Sequence, residues 1–204
     1  SVLAFLVVAA VQVLFVPRLL VTVFSGYASV EAAWTMAPVA KYGAATTALY
    51  GPLLKLLGPS TGVITGTHVV VGLLSTLLFG AVAARLAGHG RAAPVAILLV
   101  GLLPALLRDR ASESVLVPMV WWLMAAWIWL DAWLDRKHPA ALVFGIVHLA
   151  LALHARPEVW VVAPVLLLTL PTLEHRWGGL LRDKRSLLLG IGLLALLAGP
   201  RLVG

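Results

Sequence analysis

Glu31 is the first acid in the chain, within Gly26-Tyr-Ala-Ser-Val-Glu-Ala-Ala-Trp34, a stretch that holds no other charge. A lone carboxylate of this kind suits general-base work, taking the proton of an acceptor hydroxyl as it attacks. A solvated loop acid accounts for it equally well. Further on, Arg108-Asp-Arg-Ala-Ser-Glu-Ser114 gathers Arg108, Asp109, Arg110 and Glu113 into one compact polar loop. Planar guanidinium groups hold phosphate oxygens in pairs, which makes Arg108 and Arg110 candidate phosphate contacts. Asp109, Ser112 and Glu113 also suit the start of a following helix, by capping and by the helix dipole, but the arginines are not needed for that. The last such stretch is His154-Ala-Arg-Pro-Glu158. Pro157 biases Arg156 toward extended backbone and sets Glu158 early in the next helix. Arg156, at the mouth of a membrane helix, is then a candidate functional residue. Glu158 is either a positioning acid beside it or a residue favoured there by the dipole.

These side chains need elements to hold them, and the composition says which. Of 204 residues, 62% are hydrophobic and 11% are charged, against about 25% charged in an ordinary soluble domain. One soluble core of this size cannot hide so much apolar surface, whereas lipid can. A membrane helix needs about 20 apolar residues, within a range of about 17–25. That rule predicts membrane helices over Val2–Phe24, Thr61–Leu86, Ala92–Leu107, Ser114–Leu134, Pro139–Ala155, Glu158–Leu173 and Ser186–Gly199. The fold expected is an all-α polytopic transmembrane bundle of about seven helices. The long connector between the first two contains Ala44–Leu57, apolar enough for an interfacial or re-entrant helix in the first extracytoplasmic loop. No run alternates with period two, as a membrane β-strand must. Residues 1–204 read as one transmembrane domain. Because Ser1 opens straight into an apolar run and Gly204 closely follows one, they are expected to be an excised portion of a longer chain.

The net charge of +7 raises nucleic acid as a partner, but the basic residues lie in short connectors and form no face that could track phosphates. Their placement fits topology and lipid headgroups. With seven spans, one side receives Arg85, Arg91, Arg136, Lys137, Arg176, Arg182, Lys184 and Arg185, and that side is expected to be cytoplasmic. Asp131, Asp135, Glu174 and Asp183 lie among these bases, where ion pairing explains them. Glu31, Asp109, Glu113 and Glu158 fall at the opposite face with Arg108, Arg110 and Arg156. Ionisable groups gathered at a membrane edge mark a candidate site. Trp121, Trp122, Trp127, Trp129 and Trp133 crowd one helix, either as interfacial belts or as packing. Cysteine is absent, so no thiolate site exists. His148 is expected to bond within the bundle. His68 and His154 lie toward the outer face and leave a divalent cation open, although no recognised metal spacing is present.

The order of features resembles the GT-C superfamily of membrane glycosyltransferases, in the branch of protein O-mannosyltransferases and lipid A aminoarabinose transferases. The features are a first membrane helix, an acidic outer connector, the stretch Tyr42–Leu54, Ser112-Glu113-Ser114 before the fourth helix, and Ala155-Arg156-Pro157-Glu158 after the fifth. The resemblance covers nearly the whole chain and implies that residues 1–204 are the N-terminal catalytic part of a longer one. It implies transfer of a sugar from a polyprenyl-phosphate donor to an acceptor at the extracytoplasmic face. Glu31 would be the base, where the family usually carries an Asp or an acidic pair, and Arg156 would face the carrier phosphate as the leaving group departs. Arginine outnumbers lysine, and Ala, Leu, Val and Gly dominate, which points to a GC-rich bacterium and its cytoplasmic membrane. A transporter or flippase would instead place charges and broken helices near the bilayer midplane, in repeated halves. A non-catalytic scaffold subunit would scatter the outer acids.

Overall fold

Apolar runs interrupted by proline, glycine and charge fold here as helices, with no strand among the described residues. The computed structural model describes residues 1–19, 43–110, 116–172 and 183–199. The helices are α1 (Val2–Leu19), α2 (Gly43–Leu57), α3 (Thr61–Ala87), α4 (Ala92–Leu102), α5 (Pro104–Arg110), α6 (Leu116–Arg136), α7 (Pro139–Ala155), α8 (Val159–Thr172) and α9 (Lys184–Ala198). Local chemistry sets several of these ends. Ser60 caps α3, its hydroxyl accepting from Val63 N at 3.2 Å, and Gly88 closes the same helix at φ 71°. Asp183 accepts from Ser186 N at 3.3 Å and so caps α9. It is more than an acid paired with neighbouring bases.

Among the described residues, two helices are long and apolar enough to cross a membrane: α3 over Gly62–Ala87 and α6 over Leu116–Arg136. Shorter apolar helices run over Val2–Val16, Ala92–Leu102, Pro139–Ala155 and Val159–Leu170. The 17 residues of α7 extend about 25 Å at 1.5 Å per residue. The run expected as one helix over Ala92–Leu107 is broken. Leu103 is extended (φ −61°, ψ 119°) and α5 begins at Pro104. Proline has no N–H to continue the ladder and disfavours helical backbone in the residue before it. The same break corrects the polar loop expected at Arg108–Ser114, because Arg108, Asp109 and Arg110 form the last turn of α5.

The core is centred on α6 and α7, which pack along their lengths, with α3, α8 and α9 around them. A Cβ placed on Gly145 of α7 would meet Leu130 Cδ2 of α6 at 2.7 Å. Only a glycine lets the two backbones come this close. Trp122, Trp127 and Trp133 are buried, and the Trp127 Nε1–H donates to Thr169 Oγ1 of α8 at 2.9 Å. For these indoles packing is the answer, whereas Trp129 stays exposed beside Phe144. On the other side, α1 lies against α4 and α3, joining Val8 to Ile97 and Val16 to Val69.

The bundle therefore has two chemically distinct ends. At one, Arg85 of α3 donates from Nε to Asp131 Oδ2 at 3.0 Å and from Nη2 to Asp135 Oδ2 at 3.2 Å, both on α6. Spacing of i, i+4 puts these two carboxylates on one face. This is the ion pairing expected for Asp131 and Asp135. At the other end, the His154 Nε2–H of α7 donates to Leu197 O of α9 at 2.8 Å, and α8 begins just after Glu158.

Candidate functional site

The end of the bundle that carries Arg156 and Glu158 also carries Arg108, Asp109 and Arg110. Arg156 leaves α7 in extended backbone (φ −149°, ψ 137°), as its place before proline dictates. Its side chain turns toward Glu158, two residues on. Nε donates to Oε2 at 3.1 Å and Nη2 to Oε1 at 2.7 Å. This paired geometry is the one a guanidinium offers to a carboxylate or a phosphate. It fixes the plane of the Arg156 head. Glu158 lies in the turn before α8, not inside the helix as expected, and its carbonyl accepts from Val162 N at 3.1 Å. The hydrogen bonds from Arg156, then that from its own backbone N–H, hold the Glu158 carboxyl below its ordinary 4.5. Over half of its side chain is exposed, so water and salt weaken the pair.

Arg108 lies exposed on the last turn of α5, on the same side of the bundle. That end is shared because Leu107, its neighbour, packs with Val16 at the far end of α1 and Val69 in the first half of α3. Asp109 and Arg110 occupy the same turn. The structure thus unites Arg156 with Glu158 directly, and places Arg108, Asp109 and Arg110 on a separate short helix at the same end. Glu31 and Glu113 lie outside the described residues.

Two histidines, His154 and His68, take partners that the sequence does not indicate. His154 turns its Nε2–H to Leu197 O, one of the carbonyls left open where α9 ends. Its buried Nδ1 has no hydrogen-bond partner among the described residues. His68 is fully buried and its Nε2 shares a hydrogen bond with the Tyr50 hydroxyl, which ties α2 to α3. Nothing in the sequence connected those two residues. His148 donates from Nδ1 to Phe144 O at 2.7 Å, within its own helix and beside Trp122, as expected of a bundle histidine. Among the described residues no three His, Asp or Glu side chains gather as a metal site would require.

No family model, curated protein or solved structure matches this chain. The site must therefore be read from its own chemistry. Beside it, α2 and the first half of α3 enclose an open groove of about 530 Å³. Leu49, Leu53 and Leu57 wall one side, Val63 and Val70 the other, and Gly66 leaves the floor bare. Leu49, Leu53 and Leu57 recur at i, i+4 and i+8, so α2 gives one face to this groove while Tyr50 and Leu54 pack into α3. This end of the bundle thus carries the Arg156–Glu158 pair, Arg108 and an apolar trough.

Proposed function

We propose that this chain is a polytopic membrane protein of about seven spans. Its Arg156 end would lie at the extracytoplasmic face, and there it would transfer a sugar from a polyprenyl-phosphate donor to an acceptor. The observation that carries this reading is the Arg156–Glu158 pair at the mouth of two apolar helices, with Arg108 and Arg110 at the same end of the bundle. Arg156, held by Glu158, would meet the carrier phosphate and stabilise the charge it acquires as the sugar leaves. Arg108 and Arg110 would take further phosphate oxygens. Asp109, Glu113 and Glu158 position these bases, and Glu31 is the base that accepts the proton of the acceptor hydroxyl. The trough between α2 and α3 would take the start of an isoprenoid tail. A bacterial cytoplasmic membrane is the setting that the composition favours, and the resemblance to GT-C transferases supports the same assignment.

The broken helix α4–α5 favours a second reading, a transporter or flippase, since such proteins use interrupted helices to line their pathways. One experiment separates the two. The full-length protein is reconstituted with a panel of radiolabelled polyprenyl-phosphate sugars, as wild type, Glu31→Gln and Arg156→Ala. Sugar transfer or donor hydrolysis by wild type, lost in both variants, is the expected result. Movement of labelled lipid between leaflets without cleavage would replace the transferase with a flippase.

A further inference from the structure

We propose that the Arg85 end of the bundle carries a binding collar for anionic phospholipid headgroups, formed by Arg136, Lys137, Lys184 and Arg185. The collar rests on the membrane-spanning reading above but not on glycosyl transfer.

Lys137 is the most telling of the four. The link between α6 and α7 is very short, and Lys137 takes it at φ 54°, the sole positive φ among described non-glycine residues. Its N–H donates to Trp133 O at 2.7 Å, which closes α6 in the left-handed motif where glycine is the usual residue. Glycine would sit there without the steric cost that a Cβ brings. A lysine kept in that position implies a use for its side chain. The stem runs over Trp133, with Nζ 4.7 Å from the ring centre, and the head stays at the exposed rim. His138, next along, offers α7 no side-chain cap, so the positive end of that helix remains open beside the lysine.

Lys184 and Arg185 sharpen the point. They are the first residues of α9, where the helix dipole opposes a cation. Helix energetics therefore does not explain them. Their helix packs on α7, Gly190 facing Leu142 and Ile146, so the starts of α7 and α9 lie at one end. The described acids of that end are already engaged, Asp131 and Asp135 by Arg85 and Asp183 by the Ser186 amide. Arg136, Lys184 and Arg185 are exposed and meet no carboxylate among the described residues. What they fit is an anionic phosphate oxygen. A lipid is favoured over free phosphate because α7 and α9 continue directly into exposed apolar side chains, Val143, Phe144, Leu188 and Leu189. Headgroup and acyl chains would each meet their own chemistry.

The test uses the full chain, purified in neutral detergent and titrated with phosphatidylglycerol or phosphatidylcholine. Native mass spectrometry counts bound lipid, and a melting curve reports folding. Wild type should retain phosphatidylglycerol preferentially. Arg136→Gln, Lys184→Gln and Arg185→Gln should each lower that preference by about fivefold. Lys137→Gly should lower it similarly while keeping or raising Tm, because the turn loses its strain. Equal retention of both lipids by wild type overturns the collar. So does Lys137→Gly with a lower Tm and an intact preference, which would assign the lysine to Trp133 alone. Glycerophosphoglycerol, the headgroup without its chains, should compete poorly; competition as strong as that of the whole lipid would overturn the lipid as source. Carbonate extraction keeps the two readings apart. A chain released from the membrane fails the spanning reading, and a chain retained there without lipid preference fails the collar.

Discussion

A guanidinium bound to a carboxylate through two donors keeps one orientation, and that is what Glu158 gives Arg156. The sign of the pH dependence follows. The Glu158 carboxyl sits below its ordinary 4.5 because of Arg156 and its own N–H, so the pair is complete above pH 4.5. It is lost as pH falls through the lowered folded value. Carbon-13 carboxyl NMR should therefore find Glu158 titrating below 4.5 in wild type and returning toward 4.5 in Arg156→Ala. An unchanged midpoint would mean that the pair does not persist in the detergent-solubilised protein. At the opposite end, Arg85→Ala removes the guanidinium from Asp131, whose side chain is 13% exposed. An uncompensated carboxylate should cost roughly 2 kcal/mol, less than for a fully buried pair because Arg85 itself is partly solvated. Asp135→Asn, at the exposed rim, should cost about 1 kcal/mol or less. Urea unfolding in detergent measures both. At this scale the sequence showed which residues carry charge, and the described ones divide between the two ends as the expected alternation of helices requires. The Arg156–Glu158 contact could be anticipated from spacing across a proline. The Tyr50–His68 bond could not, since it depends on how α2 docks on α3.

Pro104 decides the shape of the element that carries Arg108 and Arg110. The apolar run over Ala92–Leu107 looks continuous in hydropathy, and only the backbone chemistry of proline divides it. The signal was present in the sequence, and apolarity outweighed it in the reading. Beside the break, Gln12 of α1 reaches the end of α4, its Nε2 donating to Gly101 O at 3.3 Å. Gln12 is fully buried. The backbones approach closely at this place, since a Cβ on Gly101 would lie 2.4 Å from Val8 Cγ1. Gly101→Ala should accordingly destabilise the protein by about 1–3 kcal/mol through overpacking. Pro104→Ala should instead restore helical hydrogen bonds across Leu103 and swing the last turn of α5 away from its present place. The expected result is donor turnover reduced with Tm kept or raised. Turnover unchanged by the straightened helix would remove Arg108 and Arg110 from the phosphate site.

For the whole molecule, the question is whether its two ends lie on opposite sides of a bilayer. Length alone qualifies α3 and α6, yet the shorter apolar helices expose side chains such as Val161, Val165, Leu188 and Leu196 that water would not tolerate in such density. The asymmetry of charge argues for a fixed orientation. Exposed Arg136, Lys137, Lys184 and Arg185 crowd the Arg85 end, where the positive-inside rule would place the cytoplasm. Ion pairs and hydrogen bonds between helix ends support the alternation of the chain, since Arg85 reaches Asp131 at one end and His154 reaches Leu197 at the other. A prediction of position therefore needs only one reporter at each end. Residues 1–204 contain no cysteine, so within them a thiol introduced alone has no competitor. Cysteine placed at Arg108 or at Glu158 in intact cells should react with a membrane-impermeant maleimide. Cysteine at Arg91 or His138 should react only after the membrane is opened. The reverse pattern would put the Arg156 end in the cytoplasm, where nucleotide-activated sugars are available, and a polyprenyl-linked donor would lose its rationale. Labelling at both ends without permeabilisation would mean that the bundle does not span. The exposed apolar faces would then have to be covered by protein instead of lipid.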